Sequence, residues 1–120
     1  MINRYAWELG RCLTLLCVLG LTTHGWGGGS TPFIRGRVNT DAGFNIADTV
    51  YLLAFLTGQG DLTCLDAADV NDDGAVNIVD PVYTLHVFFA AHAPPPAPFP
   101  SCGLDPTPDG LGCDSFNTCP

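Results

Sequence analysis

Two stretches of the chain carry apolar residues at helical spacing. In the first, Ile46, Val50, Leu53 and Phe55/Leu56 recur along one face, and Gly58 ends the run. In the second, Ile78, Val82, Leu85 and Phe88/Phe89 do the same. Pro81 stands just inside its start, where a missing N–H costs nothing. A polar, Asp/Asn-rich loop precedes each stretch, and Gln59–Asp66 connects the two units. The pattern predicts two loop–helix units whose apolar stripes face each other. Pro94–Pro100 is expected to be extended, as polyproline II, and to close the second helix. Ser101–Pro120 has no periodicity, so only crosslinks or packing can order it.

The units are duplicated. A shift of 32 lays Arg37–Asp48 over Asp69–Asp80, and Val, Asn, Asp, Asn, Ile and Asp coincide at six of the twelve positions. The match continues with Val50-Tyr51 over Val82-Tyr83 and Leu53 over Leu85. A core of about 60 residues is marginal and needs a metal or disulfide staples.

Residues 1–27 read as a signal peptide: Arg4 and Arg11, then the apolar run Cys12–Leu21, then Gly25-Trp26-Gly27 as a cleavage site. The apolar run is too short for a membrane span, which needs roughly 20 residues. The chain is therefore expected to be secreted or at the cell surface, with no membrane association after cleavage. The remaining basic residues are Arg35 and Arg37, there is no lysine, and every acidic residue except Glu8 is aspartate. So acidic a chain repels phosphate backbones, which argues against a nucleic-acid partner. Aspartate in place of glutamate suits turns and oxygen-ligand loops. Cys64, Cys102, Cys113 and Cys119 form an even set in an exported chain, so two disulfides are expected. Of three connectivities, Cys64–Cys102 with Cys113–Cys119 is favoured, one tying the tail to the domain and one closing a local loop. Zinc is disfavoured because no C-x2-C pair occurs and the histidines are poorly placed.

Asp69, Asn71, Asp73, Gly74, Asn77 and Asp80 fit the EF-hand-type calcium loop, D-x-D/N-x-D/N-G with further ligands at positions 7, 9 and 12. Calcium is a hard cation that takes six to eight oxygens. Alternation turns the side chains of Asp69, Asn71 and Asp73 inward, and Gly74 permits the bend. Ala75 supplies its carbonyl, Asn77 acts through a water, and Asp80 closes the sphere. In the first loop Asn39, Asp41, Gly43 and Asp48 occupy matching positions, but Arg37 stands where the first Asp belongs and Ala42-Gly43 transposes Gly74-Ala75. A like charge about 4 Å from the ion costs several kcal/mol even at an effective dielectric of ~20. The first site is expected to be weak or empty, with Arg37 replacing the ion and pairing with Asp41 and Asp48 as the alternative.

The aspartate at the twelfth position, together with the duplication, resembles the dockerin type I family, whose repeats read D-x-N-x-D-G-x-V/I-N-x-x-D followed by one helix. The resemblance covers about residues 33–92, with repeats 37–58 and 69–92; 93–100 reads as a proline-rich linker and 101–120 as a Cys-containing tail. It implies an all-α fold of two calcium-loop–helix (F-hand) repeats packed as a small helical pair, with a disulfide-stapled irregular tail. It also implies docking onto a cohesin-like domain and association with secreted polysaccharide-degrading enzymes. Where the family often has a Ser/Thr pair, this chain has Ile46-Ala47 and Ile78-Val79, which are either a docking surface or core.

No nucleophile–His–acid set, P-loop or dinucleotide motif occurs, so a binding module rather than an enzyme is expected. Two functions compete. One is a calcium-binding docking module with a protein partner. The other is a calcium-stabilised structural appendage of a cell-surface protein with no specific partner. Exposure of Ile78-Val79 in a contiguous apolar patch favours the first, and its burial the second.

Overall fold

The computed structural model describes residues 31–120; the expected signal peptide lies outside the described residues. Three helices are the regular elements there: α1 (Ile46–Leu56), α2 (Leu65–Ala68) and α3 (Val79–Phe89). Helices α1 and α3 pack against each other. Two isolated antiparallel bridges, Phe33 with Gly103 and Cys64 with Cys113, bring the tail against the start of the domain.

Helix α1 starts and stops where its sequence says it should. The Asn45 side chain accepts the Ala47 amide while the Asp48 side chain accepts the Asn45 amide, a capping box. Thr57 follows the last turn, and Gly58 (φ +82°) leaves the helix in the left-handed region. Helix α3 repeats the device, with the Val79 amide donated to Asn77 Oδ1 and the Asn77 amide to Asp80 Oδ2.

Each helix buries only part of the face its apolar spacing predicts: Phe55 and Leu56 pack on a core cluster and Leu85 is half-buried. Ile46, Val50 and Leu53 are exposed, as are Ile78, Val82 and Phe89, while α1 buries Asp48, Thr49 and Leu52 and α3 buries Asp80, Pro81 and Thr84. Asp48 and Asp80 must turn inward to accept backbone amides of their own loops. Residues one and four positions later then follow them into the interior.

Two apolar clusters result. Val38, Leu52, Ala68 and Val70 form one, with Phe55, Leu56, Leu62, Val76 and Tyr83 packed against it. Phe33, Ile34, Cys64, Ala67, Cys113 and Phe116 form the other, with Phe99 and Cys119 alongside. Helix α2, which the apolar periodicity does not announce, stands between them and gives Ala67 to one and Ala68 to the other.

The disulfides are Cys64–Cys113 and Cys102–Cys119, which corrects the expected pairing. Backbone pairing explains it: Leu65 N–H donates to Gly112 O at 2.8 Å and Asp114 N–H to Thr63 O at 2.8 Å, so Cys64 and Cys113 face each other across a bridge. By loop-closure entropy, bridges spanning 49 and 17 residues stabilise by about 4 and about 3 kcal/mol.

Nor is Pro94–Pro100 a continuous extended rod. The Ala97–Pro98 and Phe99–Pro100 peptides are cis, Pro95 and Pro98 are buried, and Phe99 packs on Phe44 with ring centroids 5.3 Å apart.

This pattern of burial has a direct test. Leu52→Ala should cost roughly 2–5 kcal/mol in urea unfolding, whereas Val50→Ala, on the predicted stripe, should change stability by no more than about 0.5 kcal/mol. Equal costs would contradict this packing.

Candidate metal centre

Loop 69–80 is a nest of side-chain-to-backbone bonds. Asp69, fully buried, accepts the Asp73 amide (3.1 Å) and the Gly74 amide (2.8 Å) on its two oxygens. Asn71 Oδ1 accepts the Asp73 amide (3.3 Å), and its Nδ2 donates to Asp73 Oδ2 (2.8 Å). Asp73 Oδ1 accepts the Ala75 amide (3.0 Å), and Asn77 Nδ2 donates to the Ala75 carbonyl (3.3 Å). Asp80, also fully buried, closes the ring by accepting the Val70 (2.9 Å) and Asn77 (2.8 Å) amides. Gly74 takes φ +81°, the bend expected at the sixth position.

The first loop copies this ladder at an offset of 32. Asn39 Nδ2 donates to Asp41 Oδ2 (2.9 Å), the Asp41 amide to Asn39 Oδ1 (3.0 Å) and the Gly43 amide to Asp41 Oδ1 (2.8 Å). Asn45 Nδ2 donates to the Gly43 carbonyl (3.2 Å), and Asp48 accepts the Asn39 (3.1 Å) and Asn45 (2.9 Å) amides. Thr40 (φ +56°) and Asp72 (φ +60°) even share the left-handed backbone at position four.

The copies part at positions one and six. Ala42 is not among the residues with positive φ, so the first loop lacks the bend of Gly74. Among the described residues Arg37 does not pair with a carboxylate, contrary to the alternative above: its Nη2 donates to the Asp41 backbone carbonyl, and its Nε is buried without an acceptor there. Where Asp69 accepts amides across its loop, Arg37 donates to a carbonyl across the other. Gly36 makes this possible. It turns at φ +86°, with Phe44 so close that a Cβ would lie 2.7 Å from the ring, and it sends Arg35 and Arg37 to different places.

Arg35 is the residue the sequence did not single out. It is fully buried, and its Nη1 donates to the Asp66 (3.1 Å) and Asp69 (2.8 Å) carbonyls. Its Nε donates to the Ala97 carbonyl (3.0 Å), and its Nη2 pairs with Asp105 (2.8 Å) and Asp72 (3.0 Å). Among the described residues it makes the ion pairs. Around it, carboxylate oxygens gather within 4.8 Å of one another in two groups, Asp66 with Asp105 and Asp109, and Asp69 with Asp72 and Asp109. Such oxygen-only groups can hold a metal ion. Only Asp69 belongs to the expected ligand set. The signal that could have found the rest is charge: two arginines set among aspartates leave few ways to place a buried cation.

Burial dominates the electrostatics. It pushes the Asp80 carboxyl up to about 6, with Asp69 nearby adding to the rise and the amides of Asn77, Asn71 and Val70 opposing it. Burial likewise raises Asp66 to about 6, helped by Asp105 and Asp109 and opposed by Arg35. Asp69 and Asp48 are raised for the same reason, whereas exposed Asp41 is lowered by the Gly43 amide and then the Asn39 side chain. Buried carboxyls held above their ordinary range, in an oxygen-only loop with the glycine bend, suit a hard cation that would compensate their charge.

The remaining expected residues fall as follows. Ile46, Ala47, Ile78 and Val79 are all exposed, at the starts of α1 and α3.

Two predictions follow from this geometry. In calcium-free protein, Asp66 and Asp80 hold protons when folded up to about pH 6, but only to about 3.8 when unfolded. The folded state therefore binds more protons between those values, and stability must fall as pH rises from about 4 to about 6. Melting temperatures across that interval check the sign; a rise with pH would refute it. Arg37→Asp with Ala42→Gly should rebuild positions one and six of the first loop and add one calcium equivalent by calorimetry.

Set beside known proteins, the chain matches no family model, no curated protein and no solved structure.

Proposed function

We propose that this chain is a secreted calcium-binding module of dockerin type, which docks onto a folded protein domain of cohesin type. The observation that carries the reading is the position of four apolar residues. Ile46-Ala47 and Ile78-Val79 directly precede the loop-closing Asp48 and Asp80, and all four lie exposed. The same aspartates fix the helix starts through the capping bonds, so the exposed pairs are held rigidly relative to the loops. Val50, Val82 and Phe89 are exposed as well. Apolar side chains left in water next to rigid elements suit a partner that buries them.

In this reading calcium occupies loop 69–80, with Asp69, Asn71, Asp73, the Ala75 carbonyl, Asn77 and Asp80 as its oxygen donors. The ion neutralises buried carboxylates that otherwise repel one another, and so stiffens the start of α3. The first loop keeps its shape through its own side-chain ladder and the Arg37 contact, without needing metal. The partner would belong to a polysaccharide-degrading assembly, as the family resemblance implies. The module itself binds and does no chemistry.

Calorimetry and surface plasmon resonance together test this. Calcium should raise the melting temperature, and Asp73→Ala should remove one binding equivalent. Against a panel of cohesin domains, Ile46→Glu and Ile78→Glu should each weaken docking by about 2 kcal/mol or more, with calcium binding unchanged. A module that binds calcium but none of the panel would lose the docking half of the proposal.

A further inference from the structure

A second cluster of carboxylates lies outside the loop. Asp66, on α2, and Asp105 and Asp109, in the tail, each bring one oxygen within 4.8 Å of the others. Acidic residues crowd together on many surfaces, but Asp66 is different. It is only 5 % exposed, and its Oδ1 is buried with no hydrogen-bond partner. A buried anionic oxygen with no donor is costly unless something compensates it.

Arg35 offsets part of that charge but donates no hydrogen bond to the carboxylate. The guanidinium touches Asp66 through the backbone carbonyl and spends its other donors on Asp69 O, Ala97 O, Asp105 and Asp72. One buried cation thus stands among five carboxylates: Asp66, Asp69, Asp72, Asp105 and Asp109. The Asp66 carboxylate is the one among them that is buried and has an oxygen left without a donor. The Asp109 carboxylate accepts the Leu111 amide at 2.7 Å and is otherwise open to solvent.

We propose that Asp66, Asp105 and Asp109 form a second divalent-cation site, distinct from loop 69–80, that pins the tail onto α2. The donors are oxygens alone, which selects a hard cation. No pair is farther apart than 4.8 Å, the span of two opposite calcium ligands at about 2.4 Å each. Exposed Asp109 leaves a side open for waters to complete the shell. The tail is already tied at Cys102 and Cys113, and the ion fixes the segment between those ties. Asp109 also lies beside Gly74, with 3.6 Å between its Cβ and the place a Gly74 Cβ would take, so the pinned tail borders the calcium loop.

Asp109 also comes within 4.8 Å of Asp69 and Asp72, so this site adjoins the loop, and the test separates the two. Calcium is titrated by calorimetry into the full chain, Asp109→Asn, Asp73→Ala and the double variant. Asp109→Asn removes a charge at an exposed position and keeps the acceptor for the Leu111 amide. Two equivalents are expected in the parent, one in each single variant and none in the double. Hydrogen exchange gives the second readout: calcium should slow exchange at residues 103–112 in the parent and in Asp73→Ala, by tenfold or more, but not in Asp109→Asn. If Asp109→Asn binds as the parent does while Asp73→Ala loses its only equivalent, the loop stands and this site is refuted. If Asp73→Ala changes nothing and Asp109→Asn abolishes binding, the second site stands and the loop reading fails. Unchanged exchange at 103–112 on adding calcium to the parent would also overturn the proposal.

Discussion

The second loop, α2, the proline-rich segment and the tail of this domain meet at one guanidinium. Arg35 sits in the interior and binds the backbone of α2 at Asp66 and of its C-cap at Asp69, the proline-rich segment at Ala97, and the carboxylates of loop and tail at Asp72 and Asp105. Four segments distant in sequence thus share one partner. A buried charge is tolerable only when its donors are matched, and removing one side of such a pair typically costs roughly 3–5 kcal/mol. The interior of this small chain is thus organised by polarity as much as by apolar area: the two apolar clusters are small, and α2 offers them only alanines.

The loops impose a second constraint. Because Asp48 and Asp80 must accept amides from the far side of their loops, they set the rotation of α1 and α3 about their axes. The helices then bury Leu52 and Thr84 and present their valines and isoleucines to solvent. The exposed apolar surface and the loop geometry therefore have one cause. A helix freed from its loop would gain by rotating Val50 and Leu53 inward, and the capping bonds prevent it.

Much of this was legible in the residues. The offset of 32 foretold that the two loop–helix units share one design, and Gly58 marked the end of α1 because caps act locally. The buried face was legible only in part, since helical periodicity assumes that apolar residues point inward and takes no account of an aspartate that must. The disulfide pairing was hidden because it depends on a backbone bridge between Thr63–Leu65 and Gly112–Asp114, which leaves no compositional trace. Arg35 was hidden for a related reason. Three of its partner groups are main-chain carbonyls, to which any residue type contributes equally.

The two tyrosines carry that lesson past the end of the sequence match. Tyr51 donates its hydroxyl to the Asp61 carbonyl at 3.2 Å, and Tyr83 donates to the Ala93 carbonyl at 3.2 Å, ten residues on in both cases. Side-chain identity between the repeats ends near Leu53 and Leu85, yet this clasp persists beyond it because its acceptor is backbone. The likeness of the two units therefore reaches at least as far as Asp61 and Ala93. Each unit closes on itself after its helix, clasped by a hydroxyl whose main-chain acceptor any residue type can supply.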